Sequence, residues 1–380
     1  MDTLLIVLFW TSAVLTVYAY VGYPLLIHGL GRLTRRSPIR GETLPGVSLV
    51  VPAYNETHVI RAKLENCMQL DYPNELLEIL VGSDGSTDGT AETIRDAANA
   101  SVVRGVIYPT RRGKAAVLND LVRMASGDIV AFSDAASMLE PRSIRALVRN
   151  FADPRVGCVS GVYRVRKAQR DVDAKPEDVY WRYETFIRLS ETRLGTMLGA
   201  HGAMYAIRLT LFEPLDPGLI NDDFIIPMRI LLRGFHSIYD TDAVAWEPAA
   251  EMAGFGRRIR IMTGNYQQLA LLLSQRGWQR RPWLLFQLLS HKGLRLVTPF
   301  LLVGMYAANA GLLAYPGYRL IFAGQTLFFV AAVLGLSPRL RRLGAVVIAA
   351  PYYFCMLNAA ALVGLYHVAW RRGAVAWKAR

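Results

Sequence analysis

Residues 47–90 restrict what this chain can fold into more than any other stretch. Two apolar runs, 47–51 and 76–81, each end abruptly in small and polar residues. Near-continuous aliphatic runs of this kind are the pattern of strands buried on both faces. Between them, residues 57–70 place Val59, Ile60, Leu64 and Met68 at helical spacing. The stretch therefore predicts strand, helix, strand, the βαβ unit of a parallel sheet. Ligands of open α/β sheets bind beyond the carboxyl ends of the strands. The residues placed there are Pro52-Ala53-Tyr54-Asn55-Glu56 and Ser83-Asp84-Gly85-Ser86, an aromatic, an amide and carboxylates suited to a small polar ligand.

The rest of the chain surrounds this unit with apolar segments. Of 380 residues 53% are hydrophobic, and these concentrate in the first thirty positions and after about residue 284. The pattern predicts a cytosolic domain held between membrane segments. Residues 3–30 are long enough to span a bilayer and lack the basic start of a cleavable signal peptide. Arg32, Arg35 and Arg36 follow directly, so the formal net charge of +13 reads as positive-inside topology rather than a nucleic-acid surface. Cys67, Cys158 and Cys355 show no paired spacing, which argues against a disulfide framework or zinc site and suits a reducing cytosol.

Further along, the spacing predicts a helix over 88–98, a strand over 102–107 and a helix over 115–125. The turn before that last helix carries Arg111, Arg112, Gly113 and Lys114. A basic turn opening a helix suits phosphate, though a solvated turn reads equally well from these residues alone. A strand over 128–132 delivers Ser133-Asp134-Ala135-Ala136-Ser137. A helix over 141–151 and a strand over 156–161 follow. Residues 171–196 read as an aromatic-rich helix across the sheet or against the membrane side, with Glu184 and Glu191 solvated. His201, flanked by Gly199 and Gly202, lies in a tight loop where backbone approaches a ligand closely. Asp222 and Asp223 precede a helix over 226–233. An Asx N-cap explains one of these carboxylates but not both.

PAYNE followed about thirty residues later by SDGSTDGT resembles the start of a family-2 glycosyltransferase, the group that includes cellulose, chitin and hyaluronan synthases. The resemblance runs over about 47–268. It implies a glycosyltransferase A-type α/β sheet domain with flanking transmembrane helices, and inverting transfer from a nucleotide sugar, UDP-linked by the family's habit. In such enzymes Pro52, Ala53, Tyr54, Glu56, Asp84, Lys114 and Asp134 would hold the donor. Asp134 would also hold Mg²⁺ or Mn²⁺ against the diphosphate. The second carboxylate of the family's Asp-x-Asp pair is replaced by Ala136. Asp223 would be the catalytic base and Asp222 its neighbouring acid. His201, Gly202, Arg257 and Arg260 would border the acceptor. Processive members carry Gln-x-x-Arg-Trp where this chain has Arg257-Arg258-Ile259-Arg260-Ile261, so the aromatic that stacks on the acceptor sugar is missing. An oligomer, or an aromatic such as Tyr266 one turn away, would be needed to make up the deficit.

The organisation expected is a transmembrane helix over 1–30, a linker over 31–46, a cytosolic glycosyltransferase domain over 47–253, interfacial helices over 254–292 and a transmembrane region over 293–370. A basic tail, 371–380, ends the chain. Trp278 and Trp283 would sit at headgroup depth. Spans are expected over 294–313, 321–336 and 343–370, the last interrupted by Pro351. Arg339, Arg341 and Arg342 compete with Arg371, Arg372 and Lys378 for the cytosolic side, so one segment is re-entrant or the tail lies outside. The partners implied are a nucleotide sugar, a lipid-linked or polysaccharide acceptor and a membrane, with no nucleic acid. A homo-oligomer and polysaccharide-export partners stay open. The location implied is the cell's inner (plasma) membrane, with several spans and a cytosolic catalytic domain. Three other readings remain: a processive homopolymer synthase, a non-catalytic synthase subunit, and a nucleotidyltransferase. The PAYNE turn argues against the nucleotidyltransferase, since that class carries a Gly-rich basic turn there. The paired carboxylates argue against a decayed subunit.

Overall fold

A computed structural model describes residues 1–34, 38–100, 102–166, 176–216, 218–248, 254–343 and 345–370. The basic tail, Arg35 and Arg36 lie outside the described residues. The expected βαβ unit is present as β1 (Val47–Ala53), α3 (Ile60–Met68) and β2 (Leu77–Asp84), the helices α1 (Asp2–Val17) and α2 (Tyr23–Thr34) coming before it. It continues through α4 (Thr90–Ala100), β3 (Val103–Tyr108), α5 (Lys114–Met124) and β4 (Ile129–Phe132). Strands β1 to β4 pair in parallel, and every residue of β1 is buried. Alternation along β1 explains this. Val47, Leu49, Val51 and Ala53 enter one core, while Val50 joins Leu80 and Val130 in the other.

The second half of the sheet was less legible. It comprises β5 (Met138–Leu139), β6 (Val156–Arg166), β7 (Tyr205–Arg208) and β8 (His236–Pro248), of which only β6 was expected. The strand order is β3-β2-β1-β4-β7-β6-β8-β5. Strand β7 runs antiparallel to both β4 and β6, so the loop before it returns to the carboxyl end of β4. Between these strands lie α6 (Ser143–Val148), α7 (Pro176–Thr192) and α8 (Asp222–Leu232).

The C-terminal part is helical: α9 (Phe255–Ser274), α10 (Pro282–Leu288), α11 (Leu294–Ala310), α12 (Pro316–Leu334), α13 (Pro338–Leu343) and α14 (Ala345–Trp370). Among the described residues three helices are long and apolar enough to cross a membrane: Asp2–Thr34, Pro316–Leu334 and Val346–Trp370. The expected span over 294–313 is shorter, as α11, and runs antiparallel to α1, with Tyr18 donating to Ser290 and Tyr315 to Asp2. Pro351 does not interrupt α14, which runs on through it although the proline, seventh in the helix, forgoes one intrahelical hydrogen bond. Trp278, expected at headgroup depth, does not present its ring at the surface. It is buried in the second core, its indole donating to Leu272 O at 2.8 Å.

Glu184 and Glu191 also depart from expectation, since both are buried. Glu191 accepts from Tyr23 Oη at 2.7 Å and from the amide of Leu198 at 3.0 Å, and its Oε1 lies 2.8 Å from His291 Nδ1. Glu184 pairs with Arg295 at 2.6 Å. Helix α7 therefore joins the apolar helices to the sheet through polar contacts that its own sequence does not announce.

Candidate active site

The turn before α5, the loop after β4, the loop before β7 and the start of α8 face one cavity of about 580 Å³. Lys114 opens α5, and its Nζ lies 2.9 Å from Asp134 Oδ1 and 2.9 Å from Asp222 Oδ1. Burial alone would lower the Lys114 pKa, but Asp134, Asp222 and Asp223 outweigh it and raise it, so the ammonium stays charged. Asp222 Oδ2 accepts from Tyr205 Oη at 3.2 Å, a partner that becomes visible only once β7 is known.

Asp223 is held differently. Its Oδ2 accepts from the amide of Gly202 at 3.0 Å, and its carbonyl accepts from Ala200 N at 2.6 Å. Gly202 O in turn accepts from Asp134 N at 3.1 Å. A Cβ at Gly202 would sit 3.1 Å from Asp134 Oδ2 and 3.4 Å from Asp223 Oδ2, so the glycine is the spacer between the two carboxylates. The residue in the N-cap position of α8 is Asn221, whose side chain makes no capping bond. It reaches Asn265 of α9 instead, at 3.2 Å. Burial, then the charge of Asp222, pushes the Asp223 pKa up to about 7 against the opposing pull of Lys114.

At the other end, the two motifs that define the chain are stapled together. Asn55, at φ 52°, accepts from Thr87 N through Oδ1 at 2.8 Å, and its amide donates to Ser86 Oγ at 3.1 Å. Gly85, at φ +64°, allows the basic turn to approach, since a Cβ there would lie 2.5 Å from Arg111 N. The Arg111 guanidinium covers the Tyr54 ring at 4.1 Å. Pro52 and Glu56 line the cavity.

Ala53, Tyr54 and Asp84, also expected at the donor, are not among the residues that line it. Ala53 is fully buried in β1. Asp84, also buried, accepts from the amides of Arg112 at 2.7 Å and Gly113 at 2.8 Å, so it shapes the basic turn. His201, Gly202, Arg257 and Arg260 all line the cavity. Burial, then the charge of Arg188, lowers the His201 pKa well below its usual range, which leaves a neutral ring. Tyr266 does not line the cavity. Its hydroxyl donates to Leu296 O at 2.8 Å, so it is no substitute for the missing aromatic.

Sequence reasoning missed several residues here. Lys63 is fully buried, and its Nζ donates to Ser133 Oγ at 2.7 Å and Ser137 O at 2.5 Å, clasping both ends of the Asp134 loop. A lysine between Ile60 and Leu64 on the apolar face of α3 was the available signal. Arg188, Glu247 and Lys292 also line the cavity, without any local motif to mark them.

Residues 45–266 match the family described as glycosyltransferase like family 2. The chain belongs to this family. It is similar to the poly-beta-1,6-N-acetyl-D-glucosamine synthase of Staphylococcus aureus (strain COL), 27% identical over 243 residues, 62% of this chain and 58% of that protein. The synthase of the same name from Staphylococcus epidermidis is 24% identical over 234 residues, 60% of this chain and 56% of that protein. The chain thus spans a little over half the length of the curated relatives it matches. Among solved structures it resembles a mannosyltransferase from Pyrobaculum calidifontis in complex with GDP-Man and Mn²⁺, with TM-score 0.73 and 25% identity over 96% of this chain and 100% of that one.

For a family-2 glycosyltransferase the donor set around Asp134 is sparse. Ala136 is buried and apolar, and among the described residues no three His, Cys, Asp or Glu side chains gather as a metal cage. One carboxylate beside the cavity still fits a hard divalent cation whose remaining ligands are diphosphate oxygens and water.

Proposed function

We propose that this chain transfers a sugar from a nucleotide sugar, UDP-linked, to a lipid-linked or polysaccharide acceptor at the membrane, with inversion at the anomeric carbon. One observation carries the reading: Asp223 lies across Gly202 from Asp134, and Lys114 ties Asp134 to Asp222 in the same cavity. Asp223, with its pKa near neutrality, takes the proton from the attacking acceptor hydroxyl. Lys114 supplies positive charge where the departing diphosphate accumulates negative charge. Asp134 would hold Mg²⁺ or Mn²⁺, which neutralises the diphosphate when bound. The basic turn and the Arg111–Tyr54 pair receive the nucleotide, while His201, Gly202, Arg257 and Arg260 border the acceptor.

The three apolar helices favour an acceptor presented from the bilayer, with the sheet domain in the cytosol and the protein in the inner (plasma) membrane. The staphylococcal relatives favour an N-acetylhexosamine donor, and the mannosyltransferase likeness favours GDP-mannose as the alternative. The test is release of nucleoside diphosphate by the purified protein across a panel of nucleotide sugars with host lipid extract. Release from none of them, while the nucleotides still bind, would turn the reading to a non-catalytic synthase subunit.

A further inference from the structure

The cavity does not end at Asp223. It continues toward the apolar helices, where Arg188, Lys292, Arg295, Leu296, Leu357 and Ala361 line it. The charges at this end do not balance. Arg295 pairs with Glu184 at 2.6 Å, and His291 lies against Glu191. Arg188 is 7% exposed; its Nη1 donates to Gly199 O at 3.0 Å, and its Nε has no partner. Lys292 stands 5.8 Å from the Phe224 ring and makes no ion pair among the described residues. Glu184 lines the same end and feels the charge of Lys292, but its carboxylate is already bonded to Arg295, so Arg188 and Lys292 leave this end of the cavity cationic and suited to an anion.

The backbone is built around this end as well. The π-helical turns Tyr18–Gly22 and Leu289–Gly293 face each other, with Tyr18 Oη donating to Ser290 Oγ at 3.1 Å. Single π-turns inside longer helices concentrate at functional sites. The one turn carries Tyr20, the other Lys292, and both residues line the cavity. The lining next to the cations comes from α11 and from α14, one of the helices apolar enough to cross a membrane, and is apolar at Leu296, Leu357 and Ala361 with one amide, Asn358, among them.

We propose that this end of the cavity binds the phosphate of the membrane lipid that carries the acceptor, with Arg188 and Lys292 as its counter-charges and Leu296, Leu357 and Ala361 beside its first tail carbons. The assignment rests on the glycosyltransferase reading and narrows its acceptor to an anionic lipid. A soluble anion would use the cations and leave the apolar wall without a role. The donor diphosphate has its own cations, in the basic turn beyond Asp134.

The test uses the full chain in neutral phosphatidylcholine nanodiscs, titrated with a fluorescent polyprenyl monophosphate, with the matching polyprenol and inorganic phosphate as controls. Lys292→Met and Arg188→Gln should each weaken polyprenyl phosphate binding about tenfold or more, the loss expected for a charge-assisted hydrogen bond. Binding of polyprenol should not change. Wild-type affinity in Lys292→Met would overturn the proposal, and this variant keeps the test open if Arg188→Gln does not fold. Displacement of the probe by inorganic phosphate at equal concentration would overturn the lipid assignment in favour of a free phosphate site. UDP and GDP titrated into the same samples test the glycosyltransferase reading separately, since nucleotide binding does not use Arg188 or Lys292.

Discussion

The backbone amide of Gly202 donates to Asp223 Oδ2 at 3.0 Å while the carbonyl of Gly202 accepts from the amide of Asp134. One residue without a side chain thus sets the separation of the two carboxylates on which the proposed reaction depends. Gly202→Ala adds a Cβ 3.1 Å from Asp134 Oδ2 and 3.4 Å from Asp223 Oδ2. Misplacing positioned groups by about 1 Å can cost on the order of 10²-fold in rate, the upper bound for the smaller shift needed here. The expected outcome is a fall in turnover of about tenfold, within that bound, with little change in nucleoside diphosphate affinity, read by steady-state kinetics and calorimetry on the same preparation.

Asp223→Asn keeps the shape and removes the base. Transfer should fall by about 10²–10⁴-fold, the usual contribution of a positioned general base. Nucleotide binding should stay nearly intact, because Lys114 keeps its contacts to Asp134 and Asp222. Parallel loss of binding and turnover would instead assign Asp223 a structural role.

The raised pKa of Asp223, about 7, gives the pH dependence its sign. A base acts only when deprotonated, so kcat/KM should climb with pH through about 7 and level off above it. Below that point protonated Asp223 cannot accept the acceptor proton, and the rate should drop about tenfold per unit. A profile flat from pH 5.5 to 8.5, roughly 1.5 units either side of that value, would remove Asp223 from the base role.

Asp134 and the need to neutralise a diphosphate imply dependence on Mg²⁺ or Mn²⁺. Excess chelator should abolish transfer, and either cation should restore it. Since Ala136 supplies no second carboxylate, metal binding without donor should be weak and should tighten when nucleoside diphosphate is added. Calorimetry with and without nucleotide reads this directly, and unchanged activity in chelator would rule it out.

Product length follows from the acceptor end. Ile261 replaces the stacking aromatic, and the hydroxyl of Tyr266 is committed to Leu296. Stacking on an aromatic contributes on the order of 1 kcal/mol, so a growing chain should be retained severalfold less well. One or a few sugars per acceptor is the expected product, sized by mass spectrometry from purified protein and a defined donor. A high-molecular-weight homopolymer from this chain alone would sink the expectation.

Local pattern by itself determined the parallel half of the sheet, the turns at its carboxyl ends, the long apolar helices and the family to which the carboxylates belong. Those features are written over short distances: alternation within β1, turn residues after it, length and apolarity in Asp2–Thr34. The antiparallel strands β5, β7 and β8 were not legible, because short or mixed strands are stabilised by their neighbours more than by their own residues. Tertiary structure alone buried Glu184 and Glu191, turned Asp84 away from the cavity and closed Lys63 beneath the Asp134 loop. It also brought Arg188 of α7 beside Lys292, about a hundred residues later in the sequence. A side chain's charge is legible in sequence, whereas its environment depends on what distant segments place against it, and that environment decides whether a lysine or glutamate is solvated, paired or left waiting for a ligand.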